Sequence, residues 1–253
     1  TPRVALVTGA ARRLGRAIAL ALARDGWDIA VHFGTSRADA DRTVREIEQL
    51  GRRAVAVARD LSIESGVRAL LPDCSAALGP VRCVVNNASL FEYDDARRFE
   101  PEFLQRMMRT NTAAPILLAQ ALHAQLRDGD EGVVINLLDQ KLWNPNPDFL
   151  SYTLSKAALK EATRLLAQAL APRVRVVGVA PGITLASVGQ SDAGFEAAHK
   201  RTPLGRSSTP EDIAQAVVYA AGARAVTGTT LLVDGGQHLA ASPRDVMFLA
   251  EPE

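Results

Sequence analysis

Short apolar runs alternate along the chain with longer stretches in which apolar and polar residues recur with helical spacing. Most of the short runs are continuously apolar, as in parallel strands that are covered on both faces. Seven of them predict strands, at 3–9, 27–33, 54–58, 81–88, 132–138, 174–180 and 229–236. The stretches between them predict helices at about 14–25, 37–50, 64–78, 101–127, 151–171 and 210–222.

Strands that alternate with helices predict an α/β protein, a doubly wound Rossmann fold with a seven-stranded parallel sheet. The sequence has no internal repeat, low-complexity tract or linker that would divide it, so we expect a single NADP-binding domain over residues 1–253. Two stretches, 112–126 and 155–170, carry more small and apolar residues than a helix needs to cover one face of a sheet. An oligomer surface and a wide buried face explain this surplus equally well.

The composition restricts the classes of function. Of the 253 residues, 47% are hydrophobic and 23% are charged, which is typical of a soluble globular protein with a substantial core. The net charge is +1 and the arginine pairs are scattered, which argues against non-specific nucleic-acid binding. The two cysteines and four histidines follow no disulfide or metal-ligand pattern. With no signal-peptide pattern or membrane-spanning run, we expect a cytoplasmic protein without a bound metal.

The first predicted strand is followed by a loop, TGAARRLG, and then by a helix. Gly9 would let the backbone turn sharply after the strand, and Gly15 would let the helix begin close to its neighbours. Free N–H groups and a partial positive charge at a helix N-terminus suit a phosphate. Two glycines six residues apart also occur in ordinary turns, but a dinucleotide pyrophosphate binds at this position in such folds.

The turn after the second predicted strand bears on the choice between NAD and NADP. Its sequence is VHFGTSRAD, with Ser36 and Arg37 at the turn and no acidic residue before Asp39. A carboxylate would hold the ribose hydroxyls of NAD, whereas hydroxyls and a guanidinium suit the 2′-phosphate of NADP. Arg12 could reach the same phosphate from the first loop. We therefore expect NADP(H), although Ser36 could also serve as the N-cap of the next helix.

A tyrosine and a lysine, Tyr152 and Lys156, are four residues apart in a predicted helix and therefore lie on one face. A free phenol has a pKa of about 10, and a nearby ammonium favours the phenolate. We therefore expect Lys156 to lower the pKa of Tyr152 and make it a better proton donor. The spacing of this pair alone is weak evidence for a catalytic site, because such pairs arise by chance on solvated helices. Upstream of it, Asp139 ends an apolar run in the sequence NLLDQ.

Several motifs in order give the chain a resemblance to the short-chain dehydrogenase/reductase family over nearly its whole length. These motifs are the glycine loop Thr8–Gly15, Asp60–Leu61, Asn86–Ser89, Asn111, YTLSK at 152–156, APG at 180–182 and VDGG at 233–236. The resemblance implies that Tyr152 is the catalytic acid/base, that Lys156 holds the nicotinamide ribose and that Asn111 serves a proton relay. The expected cofactor-binding residues are Gly9, Arg12, Arg13, Leu14, Gly15, Ser36, Arg37, Asp60, Leu61, Asn87, Ala88, Tyr152, Lys156, Pro181, Gly182 and Thr184.

Two departures from the family pattern narrow this resemblance. Most members have a serine thirteen positions before the tyrosine, where this chain has Asp139, and a middle glycine in the first loop, where it has Arg13. With TGAARRLG and NNASLF, the aspartate resembles the pteridine reductase branch and bacterial relatives that reduce dihydropterins such as dihydromonapterin. This implies that Phe91 stacks on a pterin ring and that Arg13 and Ser89 donate hydrogen bonds to it, with Asp139 and Tyr152 completing the substrate site.

A carboxyl in place of a hydroxyl changes the chemistry that the site favours. Ketone reduction produces an alkoxide that needs hydrogen-bond donors, and a fixed carboxylate would repel it. Reduction of a carbon–nitrogen double bond leaves a basic nitrogen, to which an Asp139/Tyr152 pair can deliver a proton. We therefore expect an NADPH-dependent reductase of a dihydropterin such as dihydromonapterin or dihydrobiopterin, or of dihydrofolate. The alternatives are a ketone or 3-oxoacyl reductase of the same family, a non-enzymatic NADP-binding subunit, and an Asp139 that only caps backbone groups.

Residues 183–206 are rich in small and polar residues and are longer than a simple connection requires. The family resemblance implies that this segment covers the substrate, so we expect a mobile lid. We expect Trp143, Pro145, Pro147 and Phe149 to form another wall of the pocket. The family habit implies a homotetramer, and the C-terminal sequence ASPRDVMFLAEPE could be frayed or could contact a neighbouring subunit.

Overall fold

A seven-stranded parallel sheet forms the centre of the computed structural model, which describes residues 3–185, 195, 199–200, 202–245 and 248. Its strands are β1 (Val4–Val7), β2 (Asp28–Phe33), β3 (Ala54–Ala58), β4 (Val81–Asn86), β5 (Gly132–Leu137), β6 (Val174–Pro181) and β7 (Thr230–Val233). The strand order is β3-β2-β1-β4-β5-β6-β7, and every neighbouring pair is parallel. The order reverses direction between β1 and β4, which is where doubly wound folds bind their ligands.

Helices cover both faces of the sheet. They are α1 (Arg13–Arg24), α2 (Arg37–Gln49), α3 (Glu64–Leu78), α4 (Pro101–Met108), α5 (Ala114–Gln125), α6 (Leu150–Ala169) and α7 (Pro210–Gly222). A π-helical turn at Arg109–Ala113 joins α4 to α5, and short 3₁₀ helices lie at Gln140–Leu142 and Gln237–Leu239. No helix in these described ranges is both long and apolar enough to cross a membrane.

The sheet separates two apolar cores, because successive strand side chains point to opposite faces. In β1, Ala5 and Val7 pack into the core that α1, α2 and α7 cover. Val4 and Leu6 point the other way, into the core that α3 and α5 cover. All four side chains are fully buried, so the continuously apolar runs in the sequence correspond to strands buried on both faces.

The predicted fold and its seven strands are confirmed, and the stretch predicted to be helical at 101–127 is helical over 101–125, although it is not one uniform α-helix. The structure contains two helices there, with the π-helical turn between them. Pro115 lies in the first turn of α5 and has no backbone N–H with which to bond to the preceding turn. The apolar pattern continues through the turn, so the pattern does not indicate where the π-helical turn lies.

Candidate active site

The loop after β1 has a shape that side chains at its glycines would prevent. Gly9 has a φ of +64°, in the left-handed region that favours glycine. A Cβ on Gly15 would lie 2.1 Å from the Gly9 carbonyl oxygen, so α1 can begin this close to the loop only without one. Thr8 Oγ1 accepts the backbone N–H groups of Asn87 and Ala88 at 2.9 and 3.0 Å. The loop is thereby fixed to the segment that follows β4.

A buried histidine that the sequence analysis did not single out supports the same loop. His32 Nδ1 accepts the Gly9 backbone N–H at 3.1 Å, and its Nε2 lies 2.9 Å from the Arg59 carbonyl oxygen. The two contacts require a neutral ring with the proton on Nε2. Burial also lowers the pKa of His32, which favours that form. The available signal was a histidine that lies between the apolar residues Val31 and Phe33 in the predicted strand.

The predicted phosphate-binding residues of the first loop lie at the start of α1. Arg12 is the exposed N-cap residue, and Arg13 is exposed with a left-handed backbone conformation, φ 52°. Leu14 packs against the apolar core instead of facing solvent. The first turn of α1 contains no acidic residue, so no carboxylate there neutralises the positive end of the helix dipole. The helix start therefore suits an anion.

The residues predicted to bind a 2′-phosphate lie at the start of α2. Ser36 is its N-cap residue, but the Ser36 side chain accepts no backbone N–H, so the alternative of a purely capping serine is not what the structure shows. Arg37 is exposed and donates from Nε to the Asp41 carboxylate at 2.9 and 3.0 Å. An exposed ion pair of this kind is weak, with a typical worth of about 0–1 kcal/mol, so it leaves Arg37 able to engage another anion.

The predicted pair after β3 lies at the edge of the same end of the sheet. The Asp60 carboxylate accepts the backbone N–H and the hydroxyl of Ser62 at 2.8 and 2.7 Å. These two bonds lower the pKa of Asp60, which is therefore ionised at neutral pH. Leu61 is buried beside it.

The predicted residues at the end of β6 form a tight turn. Pro181 is the last residue of the strand, and a Cβ on Gly182 would lie 2.5 Å from Ser207 Oγ. Thr184 Oγ1 donates to the Gly182 carbonyl oxygen at 2.9 Å and lies 2.8 Å from Ser208 Oγ. The backbone at Gly182 is therefore held close to the segment that precedes α7.

The aspartate and the tyrosine singled out from the sequence are in direct contact. Tyr152 Oη donates to Asp139 Oδ2 at 2.9 Å, and Asp139 Oδ1 accepts the Lys141 backbone N–H at 2.8 Å. Asp139 thus both caps a 3₁₀ helix and contacts the phenol. Lys156, one turn further along α6, donates from Nζ to the Leu137 carbonyl oxygen at 2.7 Å. The end of β5 and the start of α6 bring all three side chains together.

Burial raises the pKa of both acids in this pair. For Asp139, the charge of Asp245 adds to the rise, while the bonds from Lys141 N–H and Tyr152 and the charge of Lys156 oppose it. The pKa of Tyr152 is raised well above its usual value by burial and by Asp139. The expectation that Lys156 lowers the Tyr152 pKa is therefore wrong for the protein alone. Burial also lowers the pKa of Lys156 to about 8.

Asn111 lies in the π-helical turn and is almost completely buried. Its Nδ2 donates to the Leu90 carbonyl oxygen and to Ser155 Oγ, each at 3.0 Å. Its Oδ1 accepts the Leu90 backbone N–H at 2.8 Å and the Ser89 hydroxyl at 3.1 Å. Asn111 therefore joins the loop after β4 to α6, the helix that carries Tyr152.

An aromatic cluster borders the Tyr152 phenol. Phe91 stacks on Phe149 with 4.3 Å between ring centroids and meets the Tyr152 ring edge-on at 4.7 Å. Phe91 is 44% exposed, whereas Phe149 is buried and has a left-handed backbone conformation directly before α6. Tyr93 and Phe248 contact the Phe149 ring at 5.2 and 6.1 Å between centroids. The cluster presents an exposed flat surface beside Tyr152.

Of the four residues expected to form a pocket wall, Phe149 contacts Phe91. Trp143 packs instead on a small apolar core, and the Lys160 Nζ lies 3.9 Å from the centroid of its ring. Pro145 and Pro147 are exposed. The central part of the predicted lid, at 186–194, 196–198 and 201, lies outside the described residues.

A buried charge cluster beside the pair was not anticipated from the sequence. Lys141 and Asp148 are each 3% exposed. The Asp148 carboxylate accepts Arg244 Nε at 2.8 Å and the Asp245 backbone N–H at 2.7 Å. Lys141 Nζ donates to the Asp148 carbonyl oxygen at 2.6 Å and lies 3.4 Å from Asp245 Oδ2. Asp148 and Arg244 are 96 positions apart, so no local pattern linked them.

Comparisons with known proteins give matches over nearly the whole chain. A family model described as short chain dehydrogenase matches residues 3–195. The crystal structure of FolM alternative dihydrofolate reductase 1 from Brucella suis, in complex with NADP, matches with a TM-score of 0.91 and 40% identity, covering 95% of this chain and 96% of that one. An uncharacterised oxidoreductase of Methylorubrum extorquens is 35% identical, over 92% of this chain and 97% of its own length. The 3-oxoacyl-[acyl-carrier-protein] reductase FabG of Staphylococcus aureus is 30% identical, over 93% and 98%.

Proposed function

Because this chain belongs to the short-chain dehydrogenase family, we propose that it is an NADPH-dependent reductase that transfers a hydride to a pterin ring. The substrate is a dihydropterin such as dihydromonapterin or dihydrobiopterin, or dihydrofolate. The observation that carries the proposal is the 2.9 Å hydrogen bond between Tyr152 and Asp139, at the position where most family members have serine. The similarity to the Brucella suis protein, which is named an alternative dihydrofolate reductase, supports it.

The cofactor is NADP(H), which the Brucella suis protein also binds. The close approach of α1 to the glycine loop, which a Cβ on Gly15 would prevent, and the acid-free first turn of α1 fit its pyrophosphate. Arg12 and Arg13 flank that position, and Ser36 and Arg37 suit the ribose 2′-phosphate. When bound, the nicotinamide supplies the hydride.

The protein's part of the reaction is to deliver a proton to the ring nitrogen. Tyr152 Oη, which donates to Asp139 in the protein alone, turns its proton to the ring nitrogen and gives it up as an N–H bond forms, and the carboxyl proton of Asp139 then replaces it across the 2.9 Å hydrogen bond. The raised pKa of Tyr152 keeps the phenol protonated at neutral pH, and the raised pKa of Asp139, caused first by burial, favours the carboxyl form that the transfer needs. Asp139 is only partly buried, so solvent can reprotonate it.

The aromatic cluster would orient the ring for this transfer. Phe91 remains partly exposed beside Tyr152 and offers a flat surface on which a pterin can stack. Arg13 would donate hydrogen bonds to the ring, and the Ser89 hydroxyl would turn its proton from Asn111 Oδ1 to the ring when a pterin binds. Lys156 would hold the nicotinamide ribose, since its ammonium lies one helical turn from Tyr152.

A second candidate function is the reduction of a ketone or a 3-oxoacyl thioester. The similarity to the Staphylococcus aureus 3-oxoacyl reductase favours it. The carboxyl of Asp139 opposes it, because in its ionised form it would repel an alkoxide that develops beside Tyr152. The two candidates therefore predict opposite effects for a substitution of Asp139 by serine.

Turnover by the wild-type protein and the Asp139→Ser variant tests the proposal. NADPH oxidation is followed with dihydrobiopterin, dihydromonapterin, dihydrofolate and an acetoacetyl thioester. We expect wild-type turnover of at least one dihydropterin or dihydrofolate, and a loss in the variant of roughly 10²-fold or more, which is the usual contribution of a proton-transfer group. Asp128→Ser is the matched control, because Asp128 is exposed in the loop before β5, at the opposite end of that strand from Asp139.

Two results would contradict the proposal. One is the absence of turnover with every dihydropterin and with dihydrofolate. The other is turnover of the acetoacetyl thioester by the wild type that Asp139→Ser preserves or increases, which would establish the carbonyl reductase.

A further inference from the structure

The described part of the C-terminal segment, residues 240–245 and 248, packs against the connection that joins Asp139 to Tyr152, residues 140–151. Asn144, within this connection, donates from Nδ2 to the Ala240 carbonyl oxygen. Phe248 contacts the Phe149 ring, which in turn stacks on Phe91. The C-terminal segment therefore contacts the side of the pocket that carries both members of the proposed proton-donor pair.

Asp148 is the attachment point between the connection and the C-terminal segment. Its buried carboxylate accepts both the Arg244 guanidinium and the Asp245 backbone N–H. Burial alone would raise the pKa of Asp148, but these bonds and the Arg244 charge outweigh it, so the pKa is lowered and the group stays ionised. A buried carboxylate with these two donors is a fixed contact, because loss of the Arg244 guanidinium would leave an uncompensated buried charge.

Lys141 links this attachment point to the catalytic pair. Its backbone N–H holds Asp139 Oδ1 at 2.8 Å, and its side chain, 4% exposed, reaches 3.4 Å from Asp245 Oδ2. Its Nζ also donates to the Asp148 carbonyl oxygen, at 2.6 Å. A single buried residue thus contacts the catalytic carboxyl through its backbone and Asp245 through its side chain.

We propose that Asp245 is a positioning residue for the Asp139–Tyr152 pair. It holds the Lys141 side chain, whose backbone orients Asp139, and it places a negative charge close enough to act on both groups. The inference rests on the proposed role of the pair as proton donors.

The charges around the pair come from three elements within the described residues. Lys156 faces it from α6, Lys141 and Asp148 from the connection, and Arg244 and Asp245 from the C-terminal segment. Arg244 is paired with Asp148, and Lys141 is paired more loosely with Asp245, so each pair offsets part of its own charge. Asp245 raises the pKa of both Asp139 and Tyr152, whereas Lys156 lowers that of Asp139. The charge of Asp245 thus favours the protonated pair that the reduction needs.

The pH dependence of kcat in Asp245→Asn tests the inference. The reduction needs a protonated pair, so kcat falls as the pH rises through its pKa. Removal of a nearby negative charge lowers that pKa, so the alkaline limb of the profile moves to lower pH. We expect kcat at a fixed pH on that limb to fall roughly threefold, because the removal of one partly solvated charge changes the acid dissociation constant of a neighbouring group by about that factor. The KM for NADPH should be unchanged.

Two further variants separate charge from shape. Asp245→Glu retains the charge in a longer side chain, so we expect a limb close to that of the wild type. Lys141→Met removes a positive charge, so we expect its limb to move to higher pH, opposite to that of Asp245→Asn. Asp128→Asn, an exposed substitution at the far end of β5, should leave the profile unchanged.

A carbon-13 NMR titration of the Asp139 carboxyl gives a second readout that needs no substrate. The signal is assigned by its loss in Asp139→Asn, and we expect its midpoint at lower pH in Asp245→Asn than in the wild type. An unchanged midpoint and an unchanged kcat profile in Asp245→Asn, or a shift of Lys141→Met in the same direction, would overturn the inference. Failure of the proposed function is distinguishable, because it removes dihydropterin turnover from the wild type and leaves the titration intact.

Discussion

Asp139 makes two contacts that a serine at the same position could not make together in the same way. One carboxyl oxygen accepts the Lys141 backbone N–H, and the other accepts the Tyr152 hydroxyl. The first contact fixes the orientation of the carboxyl, and the second gives Tyr152 a partner that can carry a proton. A serine has one oxygen and one proton, so it can donate to a substrate but cannot hold a second proton in reserve.

The environment of the pair could not be inferred from the sequence, because pKa values depend on burial and on distant charges. The spacing of Tyr152 and Lys156 correctly placed them on one helix face, but it gave the wrong sign for the Tyr152 pKa. In the structure, the Lys156 Nζ lies 5.9 Å from the centroid of the Tyr152 ring, whereas Asp139 is in hydrogen-bonding contact with it. The burial of the phenol and the nearer carboxyl outweigh the ammonium.

Lys156 is expected to make the free energy of unfolding depend on pH in the alkaline range. The unfolded chain binds the Lys156 proton up to about pH 10.5, but the folded protein binds it only up to about pH 8. The wild type should therefore gain stability as the pH rises from 8 to 10.5, by up to about 3 kcal/mol. Lys156→Met lacks this gain. Denaturant unfolding of both proteins across this range should show their difference changing by about 3 kcal/mol, and a constant difference would contradict the lowered pKa.

The glycine loop and the helix that follows it show which features of an element can be inferred locally. The motif TGAARRLG predicted a strand, a tight turn and a helix start, because each step depends on residues close together in sequence. The support from His32 depends on β2 lying beside β1, so it emerges only once the sheet is assembled. The π-helical turn was missed for a related reason, because its apolar spacing resembles that of an ordinary helix.

His32→Phe is expected to loosen the glycine loop. The substitution preserves an aromatic ring in β2 but removes the acceptor for Gly9 N–H and the donor to the Arg59 carbonyl oxygen. A buried group that loses its partner typically costs about 1–3 kcal/mol, so we expect lower stability and an NADPH affinity reduced by about tenfold. Denaturant unfolding and calorimetric titration with NADPH measure the two effects.

The pH dependence of this variant provides its internal control. Because the folded-state pKa of His32 is lowered, its contribution is present above pH 6.5 and is lost as the pH falls toward the folded value. The stability difference between the wild type and His32→Phe should therefore shrink on acidification. A difference that grows at low pH, or unchanged NADPH binding, would contradict a supporting role for His32.

At the scale of the whole molecule, the features that depend on the hydrophobic pattern could be predicted from the sequence. Seven apolar runs gave seven strands, and the carboxyl ends of those strands gather the motif residues from Gly9 to Thr184. Contacts between the end of the chain and the pocket were not predictable, since Asp148, Arg244 and Asp245 come together only through the fold. The sequence analysis considered a frayed tail or a contact with a neighbouring subunit, whereas the described residues of the C-terminal sequence contact their own chain.

A homotetramer remains a prediction, and exposed apolar side chains on two helices support it. Ile116 on α5 and Leu154 and Leu165 on α6 are 36%, 45% and 57% exposed. Apolar surface of this kind favours an oligomer interface over the wide buried face that the sequence also allowed. We expect light scattering of the wild type to give four times the mass of one chain, and Leu165→Glu to give a smaller species. A monomeric wild type would contradict the prediction.

The central claim is that Asp139 and Tyr152 together protonate a ring nitrogen of a pterin. A crystal structure with NADP⁺ and a bound pterin tests it most directly. We predict that the pterin ring stacks on Phe91 and that the nitrogen of its reducible carbon–nitrogen double bond lies within about 3.2 Å of Tyr152 Oη. Asp139 should still be hydrogen-bonded to the same hydroxyl. A ring bound elsewhere, or an Asp139 carboxyl turned away from Tyr152 in the complex, would contradict the claim.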